Sequence, residues 1–223
     1  MITPTFHRLS DEKKQRILDQ AARHFATQGF HKANVNEIAA SSDISVGALY
    51  TYFDTKEDVF EAVMSEALGM MDTVHARALN PGRSLHQQLS DLFEDAVMIA
   101  RRRPAYVEVF LSLSAPGMEP FATVFGPSME RGGAELWHDL LSRGRDSGEL
   151  RPDLDVPAAA FLLDNNLMAL YASVSNAFFS IHRQELLKES PSRITRQWAR
   201  HVAGRLLSLL WEGIRNPQAP HQE

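Results

Sequence analysis

Apolar residues recur every three or four positions along nearly the whole chain, the period of amphipathic α-helices, and no stretch sustains the alternation of a strand. From Asp11 to Gln28, Ile17, Ala21 and Phe25 form one stripe with Leu18 and Ala22 beside it. Ser10 offers an N-cap oxygen, Asp11 and Glu12 suit the positive end of the helix dipole, and Gly29 suits a left-handed C-terminal cap. Asn34 opens a second helix with Glu37 in a variant of the capping box and Val35, Ile38 and Ala39 inward. Ser41, Ser42 and Asp43 favour a turn, after which Val46 to Phe53 resumes helical spacing through Leu49 and Phe53. Asp54 or Thr55 caps a longer helix, where Val59, Phe60, Val63, Met64, Ala67, Leu68 and Met71 keep two rows apolar.

Asn80-Pro81-Gly82 breaks the chain, because proline removes a donor and glycine permits a reversal. Beyond it, helices are predicted from Leu85 to Ile99, from Pro104 to Leu113 and over roughly Ser128–Arg145, followed by a loop at SGELRPDLDV. Asp155 caps a long segment, Val156 to Leu187, and Pro191 to Trp211 makes a last helix with Trp198, Val202, Leu206, Leu209 and Leu210. The Val156–Leu187 segment is apolar on more than one side, so it must be covered on more than one side, either by a second copy of the chain or inside one large bundle. The prediction is an all-α fold.

Composition narrows the chemistry. The 223 residues include no cysteine, which excludes disulfides, thiolate catalysis and cysteine-ligated metal. No signal-peptide block opens the chain, and the longest uncharged run, Asn165 to Ile181, is too short and too polar to span a membrane. A cytoplasmic protein with no membrane partner is expected. The net charge of −5 does not announce a nucleic-acid binder, so any such reading must rest on local pattern. Nucleotide-binding and hydrolase motifs are missing, and Ser10-Asp-Glu-Lys13 matches S-x-x-K only formally, a helix cap explaining the serine better. No enzyme, metal site or cofactor is expected. His182 and Glu185, one helical turn apart, read as a solvated pair, and Arg101-Arg102-Arg103 as basic residues at a helix C-terminus.

The informative stretch is Asn34 to Lys56, NVNEIAASSDISVGALYTYFDTK. Two short helices joined by a tight turn fit the helix-turn-helix plan, whose second helix enters the DNA major groove. They also fit an ordinary helical hairpin. Ala39 permits close approach of the two helices, and Gly47 and Ala48 permit close approach of the second backbone to a groove. Ser45 caps that helix, whose N-terminal amides would face phosphate without any need for net positive charge.

Here the chain resembles the TetR family of transcriptional regulators, over about residues 11 to 60. The resemblance lies in Gly29-Phe30, the Asn34–Ala39 helix, Ile44-Ser45-Val46-Gly47-Ala48-Leu49-Tyr50, Tyr52-Phe53 and Lys56-Glu57. It implies that Ser45 to Tyr52 is a recognition helix. Ser45, Tyr50, Tyr52 and Lys56 would then contact the DNA backbone, Val46, Gly47 and Thr51 would touch base edges, and Asn36 would reach the flank. Two features depart from the family pattern. Asp43 stands where glycine is usual, and residues 1–60 carry seven Lys or Arg against eight Asp or Glu, so few ionic phosphate contacts and a shallow salt dependence are expected. With Thr51 at a reading position, base recognition is expected to be partly apolar.

The resemblance further implies an N-terminal DNA-binding domain (1–56), a helical ligand-binding and dimerisation domain (57–215) and a tail (216–223). Phe93, Tyr106, Phe110, Trp137, Asn165 and Met168 are candidate pocket residues, although an aromatic at helical spacing is also ordinary core. A buried amide such as Asn165 needs a partner, which a ligand or a dimer mate could supply. The implied function is a repressor that binds a palindromic operator as a homodimer through its two C-terminal helices. A small apolar or aromatic effector would release it by way of the Thr55–Leu79 helix. The alternative is a helical protein-interaction module or small-molecule binder that does not read DNA sequence.

Overall fold

The computed structural model describes residues 2–80, 82–189, 191 and 193–218, without the side chains of residues 78 and 129–131. Pro81 of the expected chain break and residues 219–223 of the expected tail lie outside the described residues. Eleven α-helices occur among the described residues: α1 (Pro4–His7), α2 (Asp11–Lys32), α3 (Val35–Ser41), α4 (Val46–Tyr52), α5 (Lys56–Ala78), α6 (Leu85–Arg102), α7 (Pro104–Leu111), α8 (Glu119–Asp146), α9 (Val156–Ser175), α10 (Ala177–Leu187) and α11 (Arg196–Ile214). None is long and apolar enough to cross a membrane.

The caps predicted from side-chain chemistry form. The oxygens of Ser10, Asn34, Ser45 and Asp155 accept from the amides of Lys13, Asn36, Ala48 and Ala158. Five boundaries differ from expectation, one of them that of the last helix, which starts at Arg196 instead of Pro191 because Thr195 caps it. α1 had no periodic signal. α2 continues past Gly29, which has the expected positive φ of 74° but an extended ψ, so the helix bends there and closes one further turn through the Ala33 amide and the Gly29 carbonyl. α8 starts nine residues before Ser128 and carries Pro127 in its interior. The apolar segment from Val156 divides at Asn176, whose extended backbone ends α9 and whose side chain accepts from the amides of Phe178 and Phe179 to start α10.

The chain forms two compact units. The first comprises residues 1–69 and 103–122. Its centre is an aromatic cluster in which Phe60 meets Phe25, Phe30 and Phe121 at ring-centroid distances of 4.5–5.2 Å. α7 packs on α2 here, and the polar groups between them are matched. Tyr106 donates to Asp19 at 2.8 Å and accepts from Gln15 at 3.0 Å, while Arg103 pairs with Asp19 at 2.6 Å. Arg103 therefore leaves the basic cluster at the end of α6 and serves this joint.

The second unit comprises residues 70–102 and 123–223. α6 packs against both α9 and α11, burying Leu89, Leu92, Phe93 and Ala96 with Leu163, Leu167, Val202 and Leu207. Glu94, only 4% exposed, is reached by Arg196 at 2.7 Å and Arg200 at 2.9 Å, so its charge is compensated inside the α6–α11 joint. At Gly144 a Cβ would stand 2.3 Å from Leu85, so helix packing itself requires the glycine.

Candidate nucleic-acid interface

α3 and α4 are held by contacts that leave one face of each open. Ile38 and Ala39 bury the inner side of α3, whereas Glu37 takes a 3.0 Å bond from Gln28 instead of closing a capping box, and Ser41 lies 3.0 Å from His24. The turn is closed by the Asp43 amide on the Ala40 carbonyl and the Ile44 amide on the Ala39 carbonyl. Asp43 adopts φ 57°, the left-handed conformation that aspartate tolerates better than most residues. Leu49 is the buried anchor of α4, and Ser45 holds the Ala48 amide at 3.1 Å.

Asn36, Ser45, Gly47, Tyr50 and Thr51 are exposed and Val46 is half-buried, so these expected contacts share the accessible surface of the two helices. Tyr50 is 51% exposed. The Thr51 hydroxyl donates to the Gly47 carbonyl at 2.9 Å, which fixes the rotamer. A Cβ on Gly47 would meet nothing closer than Ser45 Oγ at 4.0 Å. Nothing inside the described residues requires glycine there, in contrast to Gly144.

Two expected contacts are placed differently. Tyr52 is buried, its ring 6.3 Å from that of Phe6 with the Lys13 ammonium 5.7 Å from its centroid, so the ring braces α4 from behind. Lys56 is half-buried; its ammonium donates to the carbonyls of His31 (3.1 Å) and Ala33 (3.4 Å) and lies 4.6 Å from the Phe30 ring centroid. An ammonium has three donors, so one remains for an external anion. His24, Gln28 and Phe6, which the sequence did not single out, hold the reading surface in shape. Only the spacing of His24 and Gln28 on one helix face could have hinted at them.

The chain's match to the sequence model described as "Bacterial regulatory proteins, tetR family" spans residues 17–63, the segment that builds this surface. That segment carries the sequence signature of the TetR family. The HTH-type transcriptional repressor KstR2 of Mycolicibacterium smegmatis is 28% identical to it over 144 residues, 65% of this chain and 70% of that protein. Two solved structures share the fold across both units. The ketosteroid transcriptional regulator KstR2 of Mycobacterium tuberculosis aligns with a TM-score of 0.64 at 22% identity, over 93% of this chain and 97% of that one. FadR from Bacillus subtilis, in complex with stearoyl-CoA, aligns with a TM-score of 0.66 at 18% identity, over 90% and 99%. The expected TetR fold, a helix-turn-helix followed by a helical C-terminal region, is thus present.

The candidate effector residues fall in different places. Tyr106 and Phe110 are buried in the first unit, and burial with the neighbouring Asp19 pushes the Tyr106 phenol well above its ordinary pKa. Phe93 and Trp137 are buried in the second, where the Trp137 indole donates to Asp164 at 2.8 Å. Met168 is half-buried. Asn165 corrects the expectation of a buried amide: it is exposed on α9 and donates to the Phe161 carbonyl at 2.7 Å. Aspartate, not asparagine, is the polar group of α9 that meets an interior indole. His182 is exposed beside Phe178, and Glu185 pairs with Lys188 at 3.4 Å.

Proposed function

We propose that this protein is a cytoplasmic, ligand-responsive transcriptional repressor that binds a palindromic operator as a homodimer. The observation that carries this reading is the match of residues 17–63 to the tetR-family sequence model, on a helix-turn-helix whose outer face leaves Asn36, Ser45, Gly47, Tyr50 and Thr51 exposed. Gly47 adds no side chain to that face, which suits close approach of the α4 backbone to a groove. Residues 1–56 form the reading head, residues 57–215 the effector and dimerisation region and residues 216–223 a tail. Ser45, Tyr50 and Lys56 contact the DNA backbone, Asn36 its flank, and Val46, Gly47 and Thr51 the base edges. Tyr52 supports α4 through its ring.

Dimerisation uses α9 and α11. Phe161 is 69% exposed and Leu209 78% exposed, and an open apolar groove of about 260 Å³ runs between the two helices past Leu162, Leu163 and Leu210. The effector occupies the interior near Phe93 and Trp137, with Met168 at its edge. Tyr171 Oη and His75 Nδ1 are buried there without a hydrogen-bond partner among the described residues, which leaves them for a ligand. Ketosteroid in the name of one relative and stearoyl-CoA in the complex of another both denote molecules with an extended apolar body, which suits such a lining. An effector favouring a wider separation of the two reading heads would take them off half-sites spaced about 34 to 36 Å apart, with α5 as the lever. That requires a preference of a few kcal/mol between the two states.

The test is fluorescence anisotropy with a duplex from upstream of the protein's own gene, at several salt concentrations. A sequence-selective complex of dimer stoichiometry is expected. Equal affinity for scrambled DNA would overturn the reading in favour of a protein-interaction module or a binder of small molecules alone. Lys56→Ala should weaken binding on all sequences alike and lower the salt slope by about 1.

A further inference from the structure

The recognition helix α4 has only seven residues, about half the length at which an isolated helix becomes stable in water. Its DNA-facing side must stay open, so support has to come from behind and from its ends. The N-terminal end is held by Ser45. At the other end the last carbonyls lack partners within the helix, and α4 has no basic residue in its last turn to serve them. The Phe53 amide takes the Leu49 carbonyl at 3.0 Å. Thr3 takes the last two: its hydroxyl donates to the Thr51 carbonyl at 2.8 Å and its amide to the Tyr52 carbonyl at 3.0 Å. The same hydroxyl caps α1 by accepting from the Phe6 amide, at 3.4 Å. Ile2 forms an antiparallel bridge with Phe53, and the buried Phe6 ring lies 4.7 Å from the Phe53 ring.

We propose that Thr3 is a positioning residue for DNA reading: the arm formed by residues 2–7 clamps the C-terminal end of α4 and fixes the angle at which Tyr50 and Thr51 are presented. The clamp works through the backbone of Thr51, a residue whose side chain is itself assigned to a base edge. This inference rests on α4 being the DNA probe. It predicts that loosening the arm degrades discrimination between sequences more than it degrades stability.

The test compares Thr3→Val, which keeps shape and the backbone amide but removes the hydroxyl, with Thr3→Ser, which retains it, and with deletion of residues 1–8. The probes are the labelled upstream duplex and a scrambled duplex of the same composition. Thr3→Val should lower the ratio of the two affinities about 5- to 10-fold, with scrambled-DNA affinity and dimer mass unchanged and the thermal midpoint lowered by only about 2–4 °C, the effect of one lost hydrogen bond on folding. Thr3→Ser should restore the ratio, and the deletion should lower it further. A wild-type ratio in Thr3→Val, or a parallel fall of both affinities together with the thermal midpoint, would overturn the role of Thr3. Wild-type protein that fails to discriminate would overturn the DNA reading itself. If the deletion does not fold, the valine and serine variants decide the matter.

Discussion

The surface of α4 and the surface of α9 and α11 are both open, but they are open in different ways. α4 presents glycine, threonine, valine and one tyrosine, and its threonine hydroxyl is tied to the helix backbone. α9 and α11 expose Phe161, Leu162 and Leu209, the last two lining an apolar groove. Large apolar side chains gain by leaving water wherever a complementary surface is offered, which suits a permanent partner. Small side chains on a short, doubly capped helix offer little area but let a backbone approach, which suits a polyanion whose sequence is read at its edges. A Cβ at Gly144 would meet Leu85 inside the fold, whereas one at Gly47 would stand free on the surface of α4.

The largest effect is expected from removing the apolar seat. The double substitution Leu162→Glu and Leu209→Glu places charges on both walls of the groove and should yield monomers in analytical ultracentrifugation. Operator affinity should fall about 100-fold or more, because linkage of the two reading heads is lost. A dimer that persists would show that α9 and α11 are not the seat. On the other surface, Tyr50→Ala should lower operator affinity about 10- to 100-fold in anisotropy, the range for a lost hydrogen bond to a charged phosphate, and leave the sedimenting species dimeric. A monomeric product would make Tyr50 a structural residue.

Smaller changes sharpen the comparison. Arg196→Ala combined with Arg200→Ala leaves Glu94 buried without either guanidinium and should destabilise the protein by about 3 kcal/mol in urea unfolding. Recovery in Glu94→Gln on that background would identify uncompensated charge as the cause. Gly47→Ala should do the reverse to stability. It should gain about 0.5–1 kcal/mol, or about 2–4 °C in the thermal midpoint, while weakening operator binding. A loss of stability would place the need for glycine inside the fold.

The helix-turn-helix was legible because each signal is local. Ser45 and Ala48 are three residues apart, and Asp43 needs only its own backbone to adopt the left-handed turn. Elsewhere local signals competed. The apolar run from Val156 to Leu187 concealed the break at Asn176, although an asparagine ahead of Phe178 and Phe179 is itself a capping signal. Asn165 was expected inside because its neighbours are apolar. Yet α9 turns Phe161, Leu162 and Asn165 outward together, a choice that periodicity cannot make for a helix apolar on several sides.

Sequence alone determined where most helices begin, that the second and third of its predicted helices form a helix-turn-helix, and most of the residues on that motif's outer face, Tyr52 excepted, because caps, turns and a 3.6-residue period act over a few positions. Tertiary structure decided what pairs across the chain. Thr3 meets Thr51, Asp19 meets Arg103 and Tyr106, and Glu94 meets Arg196 and Arg200. Those partners lie 48 to 106 residues apart, and only packing of whole helices brings them within hydrogen-bond range. The same packing determined which apolar faces were used up inside the fold and which, on α9, α10 and α11, were left exposed.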